Sequence, residues 1–431
     1  MDYLRATQTD LIKERDTARE LLAEMASEGL QVDFSVIRPS TAQLDLSLPM
    51  LNVIDSHSVL DSENGQDCRN YGSTDGIPEA RRLMAHMLGT HVVHTIVSGN
   101  SGWNLIYQVL SHAMLDGVCG GKPWKDVEGR RFICPVPGAL NHWRLAKQFG
   151  FTLLTVPMRS DGPDMDMVEE LIKDSRVKGM WCTPKYQNPT GTVYSSAVIR
   201  RLASLKPAAK DFRLFWDNAY AVHDFGKNVA TIPDIIEESE KAGNPEIVYE
   251  FGTTDLITFP GSGLAAVAAG SANLIDIRHF VEMATTGANK INQLRHVRFL
   301  KGSSGLNAHM KKHAAILQPK FKLVENILAR ELASGGLAKW TVPKGGYVIL
   351  LQTIEGTAKK IIQTCAAAGV KLPLAGSAYP NCNDLTDNHI SFCPAAENID
   401  EIGKATKVIA YAIRLVGTEA ILAAKAGGTL T

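Results

Sequence analysis

The 431-residue chain carries 45 Lys+Arg and 45 Asp+Glu, a formal charge of zero, which leaves no long-range pull toward nucleic acid or an anionic membrane. Hydrophobic residues make up 45% and charged residues 21%, the balance of a globular protein long enough for two domains and a sizeable core. Seven cysteines at 68, 119, 134, 182, 365, 382 and 393 form no CxxC pair, which argues against a disulfide framework or a zinc site and fits a reducing cytosol.

In chain order, Met1-Asp2-Tyr3-Leu4 lacks the basic-then-apolar pattern of a secretory leader. No later run approaches the ~18 apolar residues of a membrane span. The expectation is a cytoplasmic protein with no membrane, nucleic-acid or metal partner. Leu11, Ala18, Leu21, Leu22 and Met25 recur at helical spacing and predict an amphipathic helix over 8–29. Residues 31–50 are Pro/Ser-punctuated and suit an arm. From about residue 75, apolar runs (Val92–Val97, Arg131–Cys134, Thr152–Val156, Gly179–Thr183, Leu214–Trp216) alternate with helical stretches (Glu79–Leu88, Trp143–Phe149, Met165–Ile172, Ser196–Leu202). That alternation predicts an α/β fold with a mainly parallel sheet covered on both faces. A long helix over 304–334, a strand at Gly346–Gln352 and helices over 356–368 and 399–424 change the rhythm and predict a smaller α+β unit. The expected organisation is an N-terminal helix and arm (1–50), a large domain (51–302) and a small C-terminal domain (303–431). The short basic run Met310-Lys311-Lys312-His313 reads as a solvated helix face.

Three motifs carry chemistry. Trp181 to Gly191 is an apolar strand ending in Asn188-Pro189-Thr190-Gly191. In an open α/β sheet ligands bind at strand carboxyl ends, so Asn188 either presents an amide there or sits in a plain turn. Phe215-Trp216-Asp217-Asn218-Ala219-Tyr220 repeats the design with a carboxylate and a phenol. Asp217 either holds a protonated ring nitrogen or caps a helix. Ser98-Gly99-Asn100-Ser101-Gly102 places small residues before the helix that starts near Trp103, a weak phosphate-site signal.

Taken together and in this order, the motifs resemble the class I, fold-type-I pyridoxal-phosphate aminotransferases, in particular the aspartate aminotransferase subgroup, over roughly residues 30–415. The resemblance rests on runs such as Asp67-Cys68-Arg69-Asn70-Tyr71-Gly72, Cys134-Pro135-Val136-Pro137-Gly138, Asp161-Gly162-Pro163-Asp164-Met165, Asn292-Gln293-Leu294-Arg295-His296 and Pro343-Lys344-Gly345-Gly346-Tyr347. It implies a large cofactor domain and a smaller C-terminal domain. It implies that Asn100 and Ser101 match the cofactor-phosphate loop and that Asn188 and Tyr220 match contacts to the pyridine 3′-oxygen. Asp217 matches the partner of the pyridine nitrogen. Tyr71 matches a tyrosine that reaches the neighbouring subunit's site, which implies a homodimer.

Four positions depart from the family pattern. Where the family has Ser-Thr-Ser-Lys before Ile-Thr-Phe, this chain has Thr253-Thr254-Asp255-Leu256 before Ile257-Thr258-Phe259. Leu256 has no nitrogen to form an imine or shuttle a proton, and Asp255 cannot form one either. Ser391 stands where an arginine clamps the substrate carboxylate, and it offers no bidentate pair. Ala139 stands where a tyrosine stacks on the ring, and Ile37 where a glycine leaves room. A deliberate knockout needs only the nucleophile removed, so four changes in one direction point to a remodelled, more apolar pocket of Ile37, Ala139, Leu256 and Ser391.

Lys185, Lys290 and Lys344 are the alternative amines in these runs and read as structural. His142, His223 and His296 read as satisfied histidines or acid/base groups. The resulting expectation is an aminotransferase-like enzyme without covalent cofactor, repurposed for a biosynthetic condensation, cyclisation or isomerisation of a rather apolar small molecule. Asp217, Tyr220, Asp255 and Tyr71 are its candidate catalytic groups. A non-covalent pyridoxal- or pyridoxamine-phosphate enzyme, residual transamination of amino acids and a non-catalytic binding subunit are the alternatives.

Overall fold

The computed structural model describes residues 2, 3, 5–226, 229–332 and 335–427. Among the described residues the strands are β1 (Val32–Asp33), β2 (Thr95–Val97), β3 (Arg131–Val136), β4 (Thr152–Arg159), β5 (Gly162–Pro163), β6 (Val177–Cys182), β7 (Arg213–Asp217), β8 (Val248–Thr253), β9 (Ala265–Ala269), β10 (Ala338–Trp340), β11 (Ile349–Thr353), β12 (Val370–Lys371) and β13 (His389–Phe392).

Eight of them form one sheet in the order β2-β9-β8-β7-β6-β3-β4-β5. The neighbours from β8 through β7, β6 and β3 to β4 pair in parallel, whereas β9 runs antiparallel to both β8 and β2. This is the mainly parallel α/β sheet expected from the alternating pattern. Strand β6 is buried along its whole length because helices cover both faces, and that is why it reads as continuous apolar sequence. One face packs on Leu105, Ile106, Val109 and Leu110 of helix Gly102–Leu115. The other packs on Val168, Val198, Ile199 and Leu202 from helices Met165–Leu171 and Ser196–Ala203.

The C-terminal layer is an antiparallel sheet β10-β11-β13 packed on helices Gly302–Leu332 and Ile399–Gly427. The N-terminal helix Gln8–Ser27 buries Leu11, Ala18, Leu22 and Met25, and most of these join the same core as Val408, Ile409 and Val416. Strand β1 pairs in parallel with β12. The expected arm is therefore tied to the C-terminal layer by burial and a β-pair, and it contains a short capped helix, Thr41–Asp45. No described helix is long and apolar enough to cross a membrane.

Boundaries depart from expectation where apolar runs do not pair. Val92–His94 is a single 3-10 turn and only Thr95–Val97 joins the sheet. Strands β8 and β9 were not anticipated. Glu250 interrupts the apolar pattern of the first, and the second, Ala265-Ala266-Val267-Ala268-Ala269, has weak β propensity and is held by burial on both sides.

Candidate active site

Strands β3, β6, β7 and β8 point the same way, so the segments after Val136, Cys182, Asp217 and Thr253 gather at one end of the sheet. There they line a cleft of about 670 Å³ with the arm Phe34–Pro39, the helix start at Trp103, and Ser391–Cys393 from β13 and the loop after it. This is the carboxyl-end position where open α/β sheets bind ligands.

At one end of the cleft, Asp217 closes β7. His142 Nε2 lies 3.0 Å from its Oδ2, and the Ala219 N–H donates to Oδ1 at 3.3 Å. His142 is buried and stacks on Trp181 with centroids 4.5 Å apart and planes 5° off parallel. The histidine thus holds the carboxylate in one orientation. Tyr220 is buried and stacks on Tyr347 at 6.0 Å, and burial pushes its phenol well above the usual tyrosine range. Asn188 lines the cleft on a loop anchored by Gln187, whose Nε2 donates to the Pro137 carbonyl at 2.9 Å.

The other end is built on the turn after β8. The Thr254 N–H donates to the Leu264 carbonyl at 2.9 Å, and the Leu264 N–H returns to Thr254 Oγ1 at 2.8 Å. Asn292 Nδ2 donates to the Gly263 carbonyl at 2.8 Å. This turn presents Asp255 and Leu256 to the cleft. Burial raises the Asp255 carboxyl above its usual range, with the Thr253 hydroxyl and the Gly102 N–H acting against that shift. Its Oδ1 is shielded from solvent and has no hydrogen-bond partner. Leu256 and Ile37 are partly buried against the C-terminal core. Ser391 sits in β13 opposite Leu350, and Ala139 precedes helix Leu140–Gln148.

Beneath Leu256 lies a buried polar floor. Tyr347 Oη donates to the Leu256 carbonyl at 3.3 Å, and Gln43 Nε2 bridges Tyr347 Oη at 2.8 Å and His313 Nδ1 at 3.1 Å. His313 lies 3.1 Å from His309, which reaches the Ile257 carbonyl at 2.9 Å. Burial pushes His313 down to about 4 and His223 down to about 3. His296, 3.0 Å from Thr258 Oγ1, is pushed down to about 4 for the same reason.

Of the residues singled out from sequence, Ile37, Ala139, Asn188, Asp217, Tyr220, Asp255, Leu256 and Ser391 all line this one cleft. Asn100 and Ser101 flank it: Asn100 Nδ2 donates to the Gly261 carbonyl at 2.5 Å, and Ser101 caps the helix through the Asn104 N–H at 3.5 Å. Tyr71 is 79% exposed and lies outside the lining. Lys185 is committed to the Ala221 carbonyl and Asp224, and Lys290 to the Gly72 carbonyl. Among the described lining residues there is no lysine; the cations are Arg38, paired with Glu397 at 2.9 Å, and Arg144 at the exposed rim. Sequence reasoning missed both arginines and the lining role of Trp103, since long rim side chains reach a cleft only through tertiary placement. The described residues contain no group of three His, Cys, Asp or Glu side chains able to hold a metal ion.

The family model described as aspartate amino-transferase matches residues 6–425. The chain belongs to the aspartate aminotransferase family. An aspartate aminotransferase of Corynebacterium glutamicum is 38% identical over 397 residues, 92% of each chain. A Mycolicibacterium smegmatis relative is 36% identical over 428 residues, covering 99% of this chain and all of that one. The crystal structure of an aspartate transaminase from C. glutamicum superposes with a TM-score of 0.94 at 35% identity, covering 98% of this chain and 99% of that one. The fold is thus that of the fold-type-I aminotransferases.

The family implies pyridoxal phosphate, and the two ends of this aminotransferase cleft answer differently to it. Asp217 braced by His142, with Tyr220 and Asn188, suits a protonated ring nitrogen and a ring oxygen. The opposite end does not suit a phosphate carried on a lysine-bound ring. Leu256 supplies no amine, Asn100 is engaged by Gly261, and Asp255 brings a carboxyl toward the helix start. Neither segment 98–103 nor segment 253–264 contains a lysine or arginine.

Proposed function

We propose that this aminotransferase-family cleft is an enzyme site that works without a covalent cofactor. Its substrate is a rather apolar small molecule, and its reaction is a biosynthetic condensation, cyclisation or isomerisation rather than amino-group transfer. The observation that carries this reading is Leu256 in the lining of a cleft whose described residues include no lysine. Imine chemistry needs an amine at that place.

The remaining groups support proton and hydrogen-bond chemistry. Asp217, oriented by His142, serves as acceptor or base. Asp255 places a second carboxyl in the same cleft, beside Leu256. Tyr220 stays protonated and donates. Ile37, Leu256, Val348 and Phe392 favour an apolar body between them. Tyr71, a large aromatic left 79% exposed, suits insertion into the cleft of a second copy, as in a homodimer with shared sites. The test is isotopic. Incubation with 15N-aspartate, a 2-oxo acid and pyridoxal phosphate yields no 15N-labelled amino acid from the 2-oxo acid; turnover at the level of an ordinary transaminase overturns the reading.

A second reading is favoured by the retained ring end. Asp217, His142, Asn188 and Tyr220 suit a pyridoxal or pyridoxamine phosphate held without a covalent bond. Tight, saturable binding of pyridoxamine phosphate supports it against the first.

A further inference from the structure

The helix Gly102–Leu115 begins beside the end of β8. A side chain at Gly102 would meet Thr253 Cβ at 3.1 Å, so the helix start and the strand end touch. The aligned peptides of this 14-residue helix make that start an attractive place for a negative group. The turn after β8 brings one there. The Asp255 N–H donates to Thr253 Oγ1 at 3.2 Å, at the strand end that touches Gly102, and a side chain at Gly263 would lie 2.9 Å from Asp255 Oδ1. The carboxyl is therefore held against the 261–264 loop, next to the strand end on which the helix starts, with that oxygen shielded from solvent and unpartnered.

Resting on the reading of this cleft as the working site, we infer that Asp255 is a built-in anion that excludes phosphorylated ligands and selects unphosphorylated, nitrogen-bearing aromatic ones. A second anion at the same helix start meets like-charge repulsion in a partly desolvated place, and no lysine or arginine in segments 98–103 or 253–264 offsets it. At the other end, Asp217 backed by His142 accepts a protonated ring nitrogen. In the same cleft, Tyr220 and Asn188 offer hydrogen bonds to a ring substituent, and Trp103 adds an aromatic surface. The ligand class is a basic heteroaromatic amine or alcohol whose side arm is neutral or cationic.

Pyridoxamine and pyridoxamine 5′-phosphate differ only in the phosphate and serve as probes. Calorimetric titration of the full chain at neutral pH is expected to give at least about tenfold tighter binding of pyridoxamine. Asp255→Asn, close in shape and uncharged, and Asp255→Ser are each expected to reverse that preference. Asp217→Asn is expected to weaken both probes alike. The inference is overturned if the wild type prefers the phosphate form, if both Asp255 variants leave the ratio unchanged, or if neither probe binds the wild type. Failure of the lysine-free reading shows separately, as a covalent adduct after reduction, which the ratio of the two affinities does not register.

Discussion

The two ends of the cleft are held by their surroundings in different ways. At the ring end, Asp217 closes a buried parallel strand, its orientation set by a histidine that is itself clamped on Trp181. Changing either Asp217 or His142 leaves the other without this partner. At the opposite end, Ile37, Leu256 and Ser391 are half-buried side chains on an arm, a turn and a short strand. The difference teaches that one cleft can join a tightly braced polar group to side chains that carry little of the fold's packing.

The largest expected effect concerns the floor on which the Leu256 turn rests. His223, His296 and His313 are buried with values lowered to about 3, 4 and 4. A histidine lowered in the folded state gives stability that is full above its unfolded value near 6.5. That stability is lost as pH falls from there toward the folded value. Each such histidine withdraws about 1.4 kcal/mol per pH unit across that window. Chemical denaturation from pH 7 to 4.5 should show a steep loss, shallower by about one histidine in His313→Gln. A flat profile would mean the floor is hydrated, and the contrast between rigid and adaptable ends would weaken.

Next comes the ring end. Asp217→Ala strands His142 beside Trp181 and should cost about 1–3 kcal/mol of unfolding free energy, read by denaturant titration. It should also weaken a basic ring ligand about ten- to hundredfold. Ser391→Arg addresses the opposite end. A restored guanidinium should tighten binding of a dicarboxylate such as succinate by about tenfold or more, the scale of a charge-assisted hydrogen bond of about 1.5–3 kcal/mol. No gain would mean the carboxylate position has been closed by Ile37. Smallest is Leu256→Ala. The side chain is only partly buried, so the loss should be about 1–2 kcal/mol, below the cost at a full core site, and visible as a modest drop in melting temperature.

Much of this was legible in the sequence because parallel strands and their carboxyl-end loops are read locally. Phe215-Trp216-Asp217 announces a buried strand ending in a carboxylate, and the strand ends in that carboxylate. Six of the named residues (Ala139, Asn188, Asp217, Tyr220, Asp255 and Leu256) line one cleft because motifs at the ends of neighbouring parallel strands converge, and Ile37 and Ser391 join them from the arm and β13. Other features depend on distant contacts. Strand β9 is alanine-rich and becomes a strand only between β8 and β2. The pairing of His142 with Asp217 spans 75 residues. Arg38 and Arg144 reach the cleft from an arm and a helix whose placement no local pattern encodes. Tyr71 lies outside the lining of its own cleft, so a single chain gives it no ligand to touch.

The central claim is that no amine in this cleft carries a cofactor. Its most direct test is to incubate the full chain with pyridoxal 5′-phosphate, reduce with borohydride, and read the intact mass and the labelled peptide. Leu256→Lys combined with Asp255→Ser should gain one phosphopyridoxyl group at position 256, establishing that the cleft can report an imine. The account predicts that the wild-type chain takes up no stoichiometric label. One label per chain on a single lysine of the wild type would contradict it.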